Sequence, residues 1–352
     1  MSNKKNNSEE EIVDDNKEET TEEVGTVKPS KKPDLKVKSK KTFSLDDYKK
    51  EKGTDTVGFK PNSWIKMSPA FQRVTGLPGI IEGGISMCHG KSNTGKSTMA
   101  LELAKYAQEQ NILPVFIITE KKWSWERCEE MGINADNCLI NTDIDFIEQG
   151  CDFIEEILKD QVDGKLPRDV VFIWDSIGST PSKREFDNAE SGSGGNGMMV
   201  AAKILRERIS RRIFHKINNT RKESYPFNAT LLLVTQSYIT PSAYPGGQPS
   251  ITATGGEGII YASSLVFRFG GIMSSSSKIK ATKDGVQVSF AVKSALVVEK
   301  NHITNSSPDG KVVCTGKGFI DDTKEAIDEY KKNNKADWNL EFDKDWDRVT
   351  KE

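Results

Sequence analysis

The octapeptide Gly90-Lys91-Ser92-Asn93-Thr94-Gly95-Lys96-Ser97 constrains this chain more than any other stretch. It fits the pattern G-x-x-x-x-G-K-[ST] at every fixed position, and each fixed residue has a chemical reason. Glycines let the backbone curl so that several N–H groups face one phosphate. Lys96 brings positive charge to the β- and γ-phosphates, and the Ser97 hydroxyl suits Mg²⁺. The spacing of Met99, Ala100, Leu103, Ala104 and Ala107 predicts a helix whose N-terminal dipole also faces the phosphates. A glycine-rich turn can match such a pattern by chance. Here both flanks agree with the functional reading: Ile85-Ser86-Met87-Cys88 reads as a buried strand, and the helix follows. Gly90, Ser92, Asn93, Thr94, Gly95, Lys96, Ser97 and Thr98 are the candidate phosphate-binding set.

The 352 residues allow one large domain or two small ones. A net charge of −2 gives no overall support for a nucleic-acid partner, but the distribution of charge is uneven. Residues 1–25 are acidic, and 28–41 are rich in Lys. Neither part has the apolar content for a core, so residues 1–42 are expected to be a disordered, charged tail. The Lys run is either a solvated face or a contact to DNA or RNA. The N-terminus lacks a signal peptide's apolar core and no apolar run is long enough for a membrane, so a cytoplasmic location is expected. The five cysteines show no C-x-x-C spacing and the three histidines no metal spacing. The cysteines read as reduced packing residues, and His215 as a helix-surface residue.

Residues 43–63 are a candidate oligomerisation segment, with a short helical pattern that places Leu45 and Tyr48 on one side and breaks at Gly53. It can pack on the core or on a neighbouring subunit. The core is expected over 64–320. Pro114 to Ile118 reads as a buried strand that leads to Glu120. In open α/β sheets ligands collect at the carboxyl ends of strands, which places Glu120 near a γ-phosphate. Its plain alternative is the start of the next helix. Val170 to Trp174 is another apolar strand ending in an acid, Asp175, the expected holder of a magnesium shell.

Two loop readings follow. Pro181 to Gly197 is polar, carries Lys183 and Arg184, and precedes a helix with Ile204, Leu205, Ile209, Ile213 and Ile217 inward. Ala229 to Thr235 reads as a strand ending at Gln236, with a long small-residue loop, Ser237 to Gly258, that carries Tyr238 and Tyr244. Long loops are uncommon unless functional. Such backbones with a few aromatics suit a nucleic-acid strand; the alternative is plain surface loops. Residues 261–269, 278–283 and 286–300 read as strands, with Asp284-Gly285 as a tight turn. Residues 321–352 read as a short acidic C-terminal segment, a small helix or an attached tail.

Taken in order, these motifs resemble RecA-type recombinases, most of all the phage UvsX-type members, over roughly residues 60–305. The set is G-K-S-N-T-G-K-S, then I-I-T-E ending at Glu120, F-I-W-D-S-I-G-S-T-P-S-K-R-E, L-L-V-T ending before Gln236, T-A-T-G-G with Tyr261-Ala262-Ser263, and V-E-K-N-H. The implied fold is α/β: a RecA-like ATPase core with a mostly parallel central sheet, extended by antiparallel strands, and helices on both faces. The resemblance implies ATP and Mg²⁺ as ligands. Lys96 and Ser97 match the phosphate and Mg²⁺ residues, Asp175 the metal-site carboxylate, and Glu120 the acid that activates water. Gln236 matches the sensor that couples the γ-phosphate to DNA, and Arg127 falls at the adenine. Met198 and Lys203 match the first DNA loop; Thr254, Gly255 and Gly256 match the closing motif of the second. Lys300 matches a cation that reaches ATP on the adjacent subunit.

Where bacterial members carry a second Lys, this chain has His302. That would weaken or pH-tune action in trans; equally, His302 simply ends the strand. The second loop is slightly longer than the bacterial one, which leaves its wedge residue open. The region after the core is short beside the bacterial C-terminal domain.

The function so implied is a DNA-dependent ATPase that forms helical homo-oligomeric filaments on single-stranded DNA and pairs it with homologous duplex, in recombination and repair. A loading mediator and a single-strand-binding protein are further candidate partners. Two alternatives are a RecA-fold ring helicase, which would need an arginine finger and usually an extra N-terminal domain, and a non-catalytic mediator, which would be expected to lack Glu120 or Lys96.

Overall fold

The computed structural model describes residues 44–52, 58–120, 123–191, 197–240, 246–247, 250–270, 277–283 and 285–339. The chain divides into two units, Met1–Asp55 and Thr56–Glu352. In the first, helix α1 (Leu45–Glu51) is capped by Ser44, whose hydroxyl accepts from Asp47 N at 3.3 Å. Leu45 and Tyr48 are exposed on it.

The second unit opens with β1 (Trp64–Lys66), α2 (Pro69–Thr75) and β2 (Gly79–Ile81), where β1 and β2 pair antiparallel. Then come β3 (Ile85–Gly90), α3 (Lys96–Glu109), β4 (Leu113–Ile118), α4 (Trp125–Met131), β5 (Leu139–Asn141), α5 (Ile147–Val162) and β6 (Val170–Asp175). Next are α6 (Lys183–Ser191), α7 (Gly197–Glu207), a π-helical segment (Arg208–Ile213), α8 (Phe214–Asn219), β7 (Ala229–Thr240), β8 (Ser250–Ala253), α9 (Glu257–Ala262) and β9 (Leu265–Gly270). The chain continues through β10 (Lys278–Lys283), β11 (Val286–Asn301), β12 (Asp309–Thr315), β13 (Gly318–Asp321) and α10 (Lys324–Asn333).

One 11-stranded sheet organises this unit, in the order β13-β12-β11-β9-β3-β7-β6-β4-β5, with β10 on β11 and β8 on β7. The run β9-β3-β7-β6-β4-β5 is parallel, and β10 to β13 extend it antiparallel. Parallel strands are covered on both faces, and their sequences show it. Phe116 and Ile118 of β4 point into one apolar layer with α2, α3 and α4. Val115 and Ile117 point into the other, with α5, the π segment and α8. On β6, Val171 and Ile173 enter the first layer, and Val170, Phe172 and Trp174 the second. This is the α/β core with helices on both faces that the motifs implied.

Three sequence expectations need correction. Residues 183–191, within the expected polar loop, are helix α6. A capping box starts it: Ser182 N and Oγ both donate to Glu185 Oε2, at 2.7 and 2.9 Å, and Ser182 Oγ accepts from Glu185 N at 3.2 Å. The expected loop after Gln236 begins as one arm of a two-stranded ribbon, residues 237–240, and returns as the other, residues 250–253. β7 runs on to Thr240 and pairs antiparallel with β8, Ile239 opposite Ile251. The cross-strand pairs Ile239 with Ile251 and Tyr238 with Thr252, β-branched and aromatic, favour that pairing. The strand expected from Tyr261 begins at Leu265, because Tyr261 and Ala262 close α9, where Ser263 N donates to Ile259 O at 3.0 Å.

The hairpin of β12 and β13 lies on the far side of β11. Helix α10 packs its buried Tyr330 with Phe290, Val313 and Trp338. All five cysteines are free thiols, and His215 is exposed on α8. Among the described residues no helix is long and apolar enough to cross a membrane. The expectations for the tails, residues 1–42 and 340–352, and for Tyr244 and Asp284 lie outside the described residues.

Candidate nucleotide site and its surroundings

The sheet brings four strand ends to one place. In register, Gly90 of β3 lies beside Gln236 of β7, Val234 of β7 beside Asp175 of β6, and Asp175 beside Ile118 of β4. β3 and β4 are consecutive in the core yet separated by β7 and β6, so the crevice lies at a topological switch point.

The phosphate loop spans Gly90 to Ser97. Asn93 and Gly95 have φ of 60° and 107°, the left-handed values that turn successive amides inward. Gly95 is the N-cap of α3 and supplies no side-chain cap, so the first-turn amides face the crevice. A Cβ on Gly95 would collide with Cys314 Sγ, which fixes glycine there. Lys96 donates to Lys91 O at 2.8 Å, an oxygen that also accepts from Thr94 Oγ1 at 2.7 Å.

Around the loop, Ser97 Oγ donates to Asp175 Oδ2 at 3.0 Å. Ser176 Oγ and Gln236 Nε2 both donate to Glu120 Oε1, at 2.9 and 3.4 Å. Burial raises the Asp175 carboxyl above its ordinary value, against the lowering hydrogen bond from Ser97. Burial lowers the Lys96 ammonium. Each charge is therefore disfavoured by itself, and a bound polyphosphate with a divalent cation would compensate both. The hydroxyl–carboxylate pair of Ser97 and Asp175, beside open amides and Lys96, fits Mg²⁺ with a nucleotide.

A cavity of about 240 Å³ joins these groups, with Ser92, Asn93, Lys96, Ser97, Glu120, Ser124, Arg127, Asp175, Ser176 and Gln236 among its lining. A second, of about 430 Å³, shares Asn93, Lys96, Ser97, Thr98 and Arg127 with it or its loop and adds Ser277, Lys278, Phe290, Thr315 and Gly316. The sequence reading missed Ser176, Ser124 and the residues that the second cavity adds, Ser277, Lys278, Phe290, Thr315 and Gly316. A serine directly after a strand-ending Asp is a signal that was available for Ser176; no local pattern marks Thr315 and Gly316.

The other candidates are not at the phosphates. Lys300 Nζ donates to Ile260 O and Tyr261 O, at 2.7 and 3.0 Å, at the end of α9. His302 is exposed in the turn after β11. Lys183 and Arg184 are exposed on α6, and Lys203 on α7. Met198 is in the first turn of α7, and its side chain lies outside what is described. Tyr238 is half-exposed on the ribbon. Thr254 N donates to Gln236 O at 2.8 Å and Thr254 O accepts from Thr235 Oγ1 at 3.0 Å, so the turn at Thr254, Gly255 and Gly256 is tied to the root of β7. Arg206 of α7 and Arg211 and Arg212 of the π segment are exposed, whereas Arg208 is half-buried and pairs with Asp152. Glu155 gathers Arg212 and Lys216 at 2.6 and 2.8 Å.

Comparison with known proteins agrees with this geometry. The chain is 26% identical to protein RecA of a Nitratiruptor species over 193 residues, 54% of this chain and 50% of that protein. It is 27% identical to protein RecA of Lactococcus lactis subsp. cremoris over 181 residues, 51% of this chain and 44% of that protein. The chain thus spans about half the length of the curated relatives it matches. The RecA N-terminal domain model matches residues 58–298, more than half of the chain, and the chain belongs to the RecA family.

Proposed function

We propose that this protein is an ATP-driven recombinase that assembles on single-stranded DNA and pairs it with homologous duplex. The observation that carries this reading is the position of Gln236. Its side chain touches Glu120 in the nucleotide cavity, while its own strand runs on into the exposed β7–β8 ribbon. Nucleotide state and ribbon thus meet at one residue.

In this reading the first-turn amides of α3 and Lys96 hold the β- and γ-phosphates, with Lys96 leaving Lys91 O to do so. The adenosine half runs toward Arg127 and the second cavity. Ser97 and Asp175 would hold Mg²⁺, Asp175 directly or through water, and the ion when bound neutralises phosphate charge. Glu120, held by Ser176 and Gln236, orients the attacking water and accepts its proton. Lys96 stabilises charge on the transferred phosphoryl group. Lys300 and His302 lie away from the cavity of their own chain, and Lys300 would act on ATP held by the next copy in a filament. The exposed cations Lys183, Arg184 and Lys203, with Tyr238 and the turn at Thr254, would face DNA: cations and amides to phosphates, aromatics to bases.

The test is single-stranded DNA binding by fluorescence anisotropy with a non-hydrolysable ATP analogue, with ADP, and without nucleotide. Tight binding with the analogue and weak binding with ADP is expected. Binding indifferent to nucleotide would refute the reading.

A further inference from the structure

A histidine inside a sheet is costly unless both ring nitrogens are bonded, because a buried polar atom gives up water. His89 is 1% exposed on β3, one residue before the phosphate loop opens at Gly90. Both nitrogens are engaged. Nδ1 lies 2.8 Å from Ser237 Oγ, and Nε2 lies 2.7 Å from Glu299 Oε2. A carboxylate can only accept, so Nε2 donates to Glu299, and in the neutral ring Ser237 donates to Nδ1.

Glu299 is not on a strand adjacent to β3, since β9 lies between β3 and β11. It reaches His89 because β11 is bulged there: the register against β9 slips between Val298 and Lys300, leaving Glu299 as the extra residue. A bulge re-aims the side chain it carries. Arg268 of β9 holds the other carboxylate oxygen.

Both ends of this bridge adjoin residues of the proposed mechanism. Ser237 follows Gln236, and Glu299 precedes Lys300. Side-chain bonds and two peptide links therefore run from Glu120 through Gln236, Ser237, His89 and Glu299 to Lys300.

We propose that His89 is a positioning residue that clamps the root of the β7–β8 ribbon to the Glu299 bulge, so that a change at Gln236 on nucleotide binding is passed to Lys300. The roles of Gln236 and Lys300 rest on the recombinase reading; the clamp itself does not require DNA.

The experiment is amide hydrogen exchange over residues 236–240 and 299–303, with and without a non-hydrolysable ATP analogue. The unaltered protein is expected to slow at both segments. His89→Phe keeps a flat aromatic ring, slightly larger than imidazole, and removes both bonds. It should still bind the analogue and slow at 236–240, but lose the response at 299–303. In the same variant, DNA stimulation of hydrolysis should fall roughly tenfold, with KM for ATP little changed. His89→Gln, with an oxygen for Ser237 and an amide for Glu299, should restore part of both. If His89→Phe does not fold, Ser237→Ala cuts the same link from its other end and should give the same uncoupling.

A nucleotide response at 299–303 that persists in the folded variant, or is missing in the unaltered protein, overturns the clamp. If hydrolysis never responds to DNA but the two segments respond together and uncouple in the variant, the recombinase reading fails and the clamp stands.

Discussion

The side-chain amide of Gln236 and the hydroxyl of Ser176 converge on one oxygen of Glu120, at 3.4 and 2.9 Å. Two donors on one carboxylate oxygen restrict how the Glu120 side chain can turn. They also make the orientation of Glu120 depend on β7, the strand that enters the ribbon. Glu120→Gln keeps the size and most of the hydrogen bonding but cannot take a proton. It should bind ATP and single-stranded DNA while losing roughly 10²-fold or more in turnover, the usual scale for a general base. Normal turnover in a phosphate-release assay would remove Glu120 from the mechanism.

Lys300 caps the last carbonyls of α9, and burial lowers its ammonium below the ordinary lysine value. A cation at a helix C-terminus contributes roughly 0.3–1 kcal/mol, so Lys300→Ala should cost little stability. Its larger effect is expected between subunits. Nucleotide binding by the monomer should persist, and DNA-stimulated hydrolysis should be lost. Unchanged stimulation would refute the role in trans.

Gly150 of α5 packs against Trp174, which is 0% exposed and directly precedes Asp175. A Cβ at Gly150 would overlap the six-membered ring of Trp174. Overpacking of this kind costs roughly 1–3 kcal/mol, and its relief displaces α5 or the Trp174 ring, which pulls on β6 beside Asp175. Gly150→Ala should therefore lower the midpoint of chemical unfolding and weaken Mg²⁺-dependent ATP binding together. Loss of stability with unchanged ATP affinity would show that Asp175 is insulated from the packing behind it.

Glu102 of α3 is 1% exposed and accepts from Ser68 Oγ at 2.5 Å, Ser68 N at 3.3 Å and Phe319 N at 2.6 Å. Burial pushes its carboxyl up from 4.5 to about 7, outweighing those three lowering bonds. The folded chain then binds a proton that the unfolded chain has released. Stability from this group is present below about pH 4.5 and is lost as the pH rises through about 7. Glu102→Gln does not titrate. Its stability relative to the parent should rise by roughly 3 kcal/mol between acid and slightly alkaline solution. A difference that is flat with pH, measured by urea unfolding, would contradict this.

Much of the site was legible in sequence because its signals are local. An apolar run ending in an acid reads as a strand delivering a carboxylate, and the spacing of the phosphate loop leaves few alternatives. The capping box at Ser182 and Glu185 was equally local, but the polar composition around it masked it. The ribbon was hidden because Gly and Pro near its tip suggest a loop, while its pairing, Ile239 with Ile251, is visible only in the register. The His89–Glu299 contact had no local signal at all. It depends on a bulge in β11 and on a side chain reaching past β9. The β12–β13 hairpin is short and largely polar at its start, and its place beside β11 is set by the sheet.

The measurement that bears most directly on the central claim is ATP hydrolysis with no DNA, with single-stranded DNA and with duplex, with negative-stain images of the same mixtures. Strong stimulation by single-stranded DNA together with helical filaments is expected. Stimulation with closed rings would point instead to a translocating helicase. No stimulation and no assembly would contradict the recombinase reading and leave an ATP-binding member of the family with another task.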